Sequence, residues 1–92
     1  MERLPIVVAA TPLARLRGLL GHRVPPPFAL QLERCRCVHT FGMRFALDLH
    51  WLGADGVVLR IDRGVAPGRV RACRRARAVV EVPVGASILK PP

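Results

Sequence analysis

Two stretches of alternating side chains, separated by a short turn, constrain the fold of this 92-residue chain more than any other feature. In the first stretch, Leu47, Leu49 and Trp51 share one face of an extended strand. The turn, Gly53-Ala54-Asp55-Gly56, has the composition of a tight hairpin connection, and residues 57–62 alternate again. The sequence therefore predicts a β-hairpin.

Three further apolar runs predict strands at residues 4–9, 28–33 and 78–82. A short helix is predicted over residues 12–20, because Thr11 can act as its N-cap and the proline that follows suits a first helical position. Leucines at spacings of three and four then form one apolar stripe. Together these elements predict a single, mainly β domain: a compact barrel or sandwich of five to seven short strands with one short helix near the N-terminus.

Composition places the chain among small globular proteins. Hydrophobic residues make up 51% of it, which excludes a disordered protein, and no apolar run approaches the roughly 20 residues of a membrane span. The apolar run at residues 6–10 is too short for a secretory signal, so we expect a cytoplasmic protein. Three cysteines, an odd number, fit reduced thiols better than a disulfide framework.

The net charge of +9 comes mainly from arginine, with fourteen arginines and one lysine. It predicts weak, non-specific attraction to nucleic acids. There is no tyrosine and only one tryptophan, whereas nucleic-acid proteins usually add stacking aromatic residues. Two explanations of the charge remain. The chain is either a basic nucleic-acid-associated protein, or its charge reflects only a general bias of composition toward arginine. A solvated basic face, with docking to RNA, DNA or an acidic partner as its alternative, is predicted at Arg69, Arg71, Arg74, Arg75 and Arg77.

A cluster of metal-capable groups lies in the middle of the chain. Cys35, Cys37 and His39 would share one face of an extended segment, but same-face residues lie roughly 6.6 Å apart, farther than ligands of one ion. A bend that brought in Met43 would give a sulfur and nitrogen set suited to zinc or copper. The alternative is that these side chains fill the core.

The same region carries a family resemblance. Its motif is Cys35…His39-Thr40…Met43-Arg44-Phe45…Asp48, flanked by Arg15 with Gly18-Leu19-Leu20 and by Val80-Glu81-Val82-Pro83-Val84-Gly85. These blocks resemble the bacterial and archaeal family called "domain of unknown function 192". The resemblance implies a small, mostly β fold with no agreed activity.

Three positions depart from the family pattern. Ala46 stands where the family usually has proline, and His50 stands where it favours an aliphatic residue. The end of the chain, residues 86–92, is short compared with relatives. The strand that closes the sheet is therefore expected to be missing or rebuilt.

Ionisable groups that interrupt apolar strands predict a binding site. Asp48 follows an apolar run and needs a partner if it is covered, and the guanidinium groups of Arg44 and Arg15 match a carboxylate. Such contacts either staple the fold together or form a mixed-charge cleft for a small polar or anionic ligand or a protein segment. The ligand-binding residues predicted for the cleft are Arg15, His39, Met43, Arg44, Asp48 and Glu81.

Catalysis has little support in the sequence. The only serine, Ser87, lies near the C-terminus, and no glycine-rich phosphate loop is present. We therefore assign no catalytic residue, favour a non-enzymatic binding module and name no cofactor. A zinc or copper protein that uses Cys35, Cys37 and His39 remains the alternative.

Overall fold

The computed structural model of the protein describes residues 2–9, 11 and 18–88. These residues are organised mainly as β-structure, as predicted, but in more strands than the predicted five to seven. The strands are β1 (Glu2–Leu4), β2 (Ile6–Ala9), β3 (Ala29–Glu33), β4 (Cys37–His39), β5 (Leu47–Leu52), β6 (Val58–Val65), β7 (Val70–Ala72), β8 (Ala78–Pro83) and β9 (Ala86–Ile88).

Five of the strands form the central sheet, in the order β2-β3-β8-β5-β6. Strands β2 and β3 are parallel, and the other neighbours are antiparallel. Two strand pairs flank this sheet: parallel β1–β9 and antiparallel β4–β7. Because β2 and β6 are its two different edges, the central sheet is open, so the closed-barrel form of the prediction is wrong.

The predicted hairpin is confirmed by β5 and β6. Leu47, Leu49 and Trp51 have no exposed surface, as their shared face predicts. The turn is held by a hydrogen bond from the Gly53 amide to the Val57 carbonyl, 2.9 Å. The Asp55 carboxylate also accepts a hydrogen bond from the Val57 amide at 3.0 Å. Local alternation and local turn chemistry therefore suffice to form this element.

Three other predictions are changed by the structure. The strand predicted over residues 4–9 is divided at Pro5, which has no amide hydrogen, and its halves join different sheets. Most of the helix predicted over residues 12–20 lies outside the described residues, and residues 18–20 form a turn rather than a helix. A strand does form near the end of the described chain, at Ala86–Ile88, but it pairs with β1 in a separate two-stranded sheet and does not close the central sheet.

The three inner strands of the central sheet, β3, β5 and β8, are largely buried on both faces. One face carries the larger core around Trp51, Leu49 and Val79, which Val38 of β4 helps to cover. The opposite face packs Val80 and Val82 against β9. No helix in the described part of the chain is long and apolar enough to cross a membrane.

Candidate functional site

A cleft of about 120 Å³ opens on the larger-core face of the sheet, between β4, β8 and the turn at residues 18–20. Its floor is polar and its walls are largely apolar. The residues that line it are Gly18, Leu19, Leu20, Leu32, Cys35, Cys37, Val38, His39, Phe41, Met43 and Glu81.

Glu81 is the buried carboxyl group of this cleft. It lies on the central strand β8 opposite Leu49, so its side chain points to the same face as that core residue. Only 4% of Glu81 is exposed, and its Oε1 atom accepts a hydrogen bond from the Leu19 amide at 3.1 Å. Burial raises the pKa of Glu81 to about 7, although the Leu19 hydrogen bond acts in the opposite direction. Near neutral pH this carboxyl can therefore either accept or donate a proton.

Gly18 allows the turn to approach the carboxyl group. Its φ of +54° lies in the left-handed region, and a Cβ atom there would lie 2.8 Å from Oε1 of Glu81. A side chain at this position would therefore both strain the backbone and collide with the carboxylate. The glycine places the Leu19 amide where it donates to Glu81.

The rim of the cleft carries an aromatic pair. The rings of His39 and Phe41 stack with centroids 5.5 Å apart and planes inclined by 28°. Both side chains are exposed, although Phe41 is a large hydrophobic residue. Elsewhere in the lining, the Cys35 thiol donates a hydrogen bond to the Cys37 carbonyl at 3.3 Å.

Thr40 holds the rim in place. The residue is 1% exposed, its hydroxyl donates to the Ala66 carbonyl at 2.7 Å, and the same oxygen accepts from the Arg69 amide at 2.8 Å. The Thr40 carbonyl accepts two more hydrogen bonds, from the amides of Met43 and Gly68. The His-Thr-x-x-Met pattern thus places histidine on the rim, threonine as the anchor and methionine in the core beneath.

Asp48 lies on the other face of the central sheet. Its neighbour Leu49 is opposite Glu81, and alternation therefore directs Asp48 away from the cleft. Oδ1 of Asp48 accepts a hydrogen bond from the Gly64 amide at 2.8 Å, where the pairing of β5 with β6 shifts register. Oδ2 lies 3.8 Å from the exposed guanidinium of Arg63. Asp48 therefore supports an irregular part of the hairpin.

The six residues predicted as one site are only partly brought together. The cleft is lined by His39, Met43 and Glu81. Arg44 is exposed and does not line the cleft, and the ion pairs among the described residues do not include it. Arg15 lies outside the described residues. The predicted pairing of Arg44 with Asp48 is thus replaced by the contacts of Asp48 with Gly64 and Arg63.

The candidate metal ligands do not converge. Cys37 and His39 are both exposed on β4, whereas Cys35 is half-buried before the strand. In the part of the chain that the structure describes, no three histidine, cysteine or carboxylate side chains are grouped to hold an ion. All three cysteines are thiols, as predicted. Among its described lining residues, the cleft thus contains sulfur and nitrogen groups that are not grouped around one point.

Sequence reasoning missed two contributors to the cleft. The Leu19 amide could not be found from side-chain patterns, although the neighbouring glycine in the Gly18-Leu19-Leu20 block was the available signal. Phe41 follows the His-Thr motif directly, and its exposed ring was not identified as part of the rim. Both contributions depend on turns whose geometry cannot be read from periodicity.

The chain belongs to the family DUF192, described as an uncharacterized ACR, whose model matches residues 1–88. None of the curated proteins matches the chain. The family assignment confirms the resemblance found in the Cys35–Asp48 motif and its flanking blocks.

Two crystal structures share the fold. A protein of unknown function from Novosphingobium aromaticivorans is 18% identical with a TM-score of 0.76, and the match covers 87% of this chain and 63% of that chain. A protein from Sinorhizobium meliloti described as a "putative transcription regulator" is 20% identical with a TM-score of 0.76, and the match covers 87% of this chain and 68% of that one. At these identities the comparison establishes the fold alone.

Proposed function

We propose that this chain is a binding module whose cleft receives a small polar group, carried by a small ligand or by a side chain of a protein segment. The observation that carries the proposal is Glu81, a buried carboxyl group at the floor of an accessible cleft. Burial of such a group is unfavourable, and strongly perturbed carboxyl groups in clefts are frequent at functional sites. A ligand that donates hydrogen bonds to Glu81 would offset that unfavourable burial.

The lining indicates the chemistry of the ligand. Glu81 provides an acceptor, His39 and Phe41 provide ring faces, and Met43 provides an apolar wall. No arginine or lysine is among the described lining residues. We therefore expect a ligand that carries an amine, amide or guanidinium group, in preference to the anionic ligand that the sequence also allowed.

The size of the cleft limits what enters it. A volume of about 120 Å³ accommodates only a small group, since a cavity of about 150 Å³ is enough to bind benzene. The described contacts favour binding over nucleophilic catalysis. In these contacts the Cys35 thiol donates to the Cys37 carbonyl, and the His39 ring stacks on Phe41.

The test is a binding screen by NMR with small amines, guanidines, amides and carboxylates as probes. We expect cationic and amide probes to shift the amide signals of Leu19 and Val38, and Glu81→Gln to weaken binding of the cationic probes at least tenfold. Glu33→Gln is the matched control, because Glu33 is a carboxylate of β3 that does not line the cleft. Carboxylate probes that bind more tightly than amines, or equal binding by the Glu81 and Glu33 variants, would contradict the proposal.

A further inference from the structure

Five arginines from two loops meet at one end of the molecule, here called the basic end. It consists of Arg34, Arg36, Arg74, Arg75 and Arg77, and all five side chains are exposed. The two loops are joined by hydrogen bonds from the Arg34 amide to the Arg77 carbonyl, 2.7 Å, and from the Cys73 amide to the Arg36 carbonyl, 2.8 Å. The Arg77 amide also donates to the Leu52 carbonyl of β5 at 2.7 Å. The loops are thus fixed to each other and to the central sheet.

A groove of about 520 Å³ runs through the basic end. Arg34, Arg36 and Arg77 line it together with Ala54, Ala76 and Glu33. The Glu33 carboxylate accepts a hydrogen bond from the Gln31 amide group at 2.7 Å, which gives it a partner within its own strand. The groove therefore combines three guanidinium groups with one carboxylate.

The guanidinium groups of the basic end are available to a partner. The ion pairs among the described residues join Arg60 to Asp62 and Arg63 to Asp48, and neither involves the basic end. Nearby Asp55 uses its carboxylate to accept the Val57 amide in the hairpin turn. Five cations thus face solvent beside two carboxylates that are already hydrogen-bonded.

Arg34 stands at a position that favours glycine. Its φ of +54° is in the left-handed region, and it is the sole non-glycine residue with positive φ in the described part of the chain. Such a conformation is unfavourable for a residue with a side chain. The hydrogen bond between the Arg34 amide and the Arg77 carbonyl stabilises this conformation, which holds Arg34 in the lining of the basic groove.

The structure also divides the basic segment that the sequence indicated. Nη1 of Arg71 donates to the Val70 carbonyl at 2.8 Å, and Nη1 of Arg69 lies 3.5 Å from the Gly68 carbonyl. These two arginines use guanidinium hydrogens within their own strand or turn. Arg74, Arg75 and Arg77, the other three arginines of the segment, lie with Arg34 and Arg36 instead. This grouping depends on the hydrogen bonds that join the two loops.

We propose that the basic end binds the phosphate backbone of a nucleic-acid duplex. Guanidinium groups match phosphate oxygens in charge and geometry, and loops fixed to a sheet hold them at set positions. The residues of the basic end and its groove include no aromatic side chain that could stack on unpaired bases. The surface therefore fits a duplex backbone, contacted without regard to base sequence. The net charge of +9 adds long-range attraction.

The test is fluorescence anisotropy with labelled duplex DNA, duplex RNA and single-stranded DNA of equal length, from 50 to 200 mM salt. If five arginines each neutralise one phosphate, the parent protein should lose roughly 500-fold in affinity over this range, because the logarithmic slope is about −0.9 per phosphate. Arg36→Ala with Arg77→Ala should leave three contacts, and the loss should fall to roughly 40-fold. Comparison of the affinities for the DNA and RNA duplexes distinguishes the two sources of the same phosphodiester backbone.

The matched control is Arg3→Ala with Arg23→Ala, which removes two exposed arginines elsewhere and changes the net charge equally. This variant should keep a salt slope within about half a unit of the parent. Circular dichroism should show that both double variants remain folded. Equal flattening by both variants, an unchanged slope for the Arg36 and Arg77 variant, tighter binding of the single strand, or no duplex binding at 50 mM salt would each overturn the proposal.

Discussion

At the scale of single residues, the site depends on a carboxyl group whose burial is energetically unfavourable. Glu81 is 4% exposed, and its described hydrogen bond is the one it accepts from Leu19. The other polar groups near Glu81 belong to the cleft. A ligand bound in the cleft would stabilise the charged form of the Glu81 carboxyl group. Burial of Glu81 in the cleft therefore accounts both for its raised pKa and for its proposed role in binding.

The pKa of Glu81 predicts how stability changes with pH. Its folded-state value of about 7 is above the ordinary value of 4.5, so any stabilisation linked to its protonation is complete below pH 4.5 and is lost as pH rises through 7. The rise in the pKa from 4.5 to about 7 corresponds to about 3 kcal/mol. Urea unfolding from pH 4.5 to 8 should show this decline, and Glu81→Gln should remove most of it. A decline of the same size in the variant would exclude Glu81 as the cause.

Gly18→Ala should destabilise the protein through two effects, backbone strain at a φ of +54° and contact with Glu81 at 2.8 Å. We expect a loss of about 2–3 kcal/mol in the free energy of unfolding. Gly68→Ala is the control, because Gly68 has a φ of +81° and no atom within 4 Å of its added Cβ. In that variant the free energy of unfolding should fall only by the contribution of backbone strain. Equal losses for the two variants would show that Gly18 does not act through Glu81.

At the scale of secondary-structure elements, Asp48 stabilises the irregular pairing of β5 with β6. Gly64 has a φ of +61° where the register shifts, and its amide needs an acceptor. Oδ1 of Asp48 provides that acceptor at 2.8 Å. This contact lies within the hairpin, whereas the structural alternative that the sequence offered was a staple of the helix and the Cys35–Met43 loop.

Asp48→Ala should lower the free energy of unfolding by about 1–3 kcal/mol, because a buried hydrogen bond to a charged group is lost. Asp48→Asn should lose less, since its amide oxygen can still accept from Gly64. Arg63→Ala should change stability by less than about 1 kcal/mol, because the Arg63 side chain is 71% exposed. Chemical denaturation measures all three. If the Ala variant were as stable as the parent, this role for Asp48 would be disproved.

The elements that could be predicted are those with local signals. The hairpin has alternation on both sides of a turn, and the strands at Ala29–Glu33 and Ala78–Pro83 are long enough to show an apolar run. The three-residue strands β1, β4, β7 and β9 are too short for a period to be recognised. They form because distant segments pair, and a single sequence does not reveal which segments will meet.

The candidate site could be predicted only in part for the same reason. His39, Met43 and Glu81 were identified as members of one site, and all three line the cleft. The placement of Asp48 depends on the register that sets Leu49 opposite Glu81, and a shift of one residue would reverse its face. Register is set by the packing of the whole sheet. The sequence alone therefore could not assign the carboxylates of Asp48 and Glu81 to opposite faces.

At the scale of the whole molecule, the central sheet separates structural and candidate functional groups. One face holds the Glu81 cleft, the other holds Asp48, and the basic end lies where the loops at residues 34–36 and 73–77 meet. The cleft and the basic end share no lining residue. Ligand binding in the cleft and duplex binding at the basic end can therefore be tested by separate substitutions.

The most direct test of the central claim is an NMR titration of the Glu81 carboxyl carbon, without and with a saturating small amine such as methylammonium. A bound cation favours the charged carboxylate, so we expect a pKa of about 7 in the free protein and a value at least one unit lower with the amine. As a control at fixed pH, the amine should leave the signal of the Glu33 carboxyl carbon in place, because Glu33 does not line the cleft. A free-protein pKa near 4.5, or a pKa for Glu81 that the amine leaves unchanged, would contradict the assignment of this cleft as a binding site.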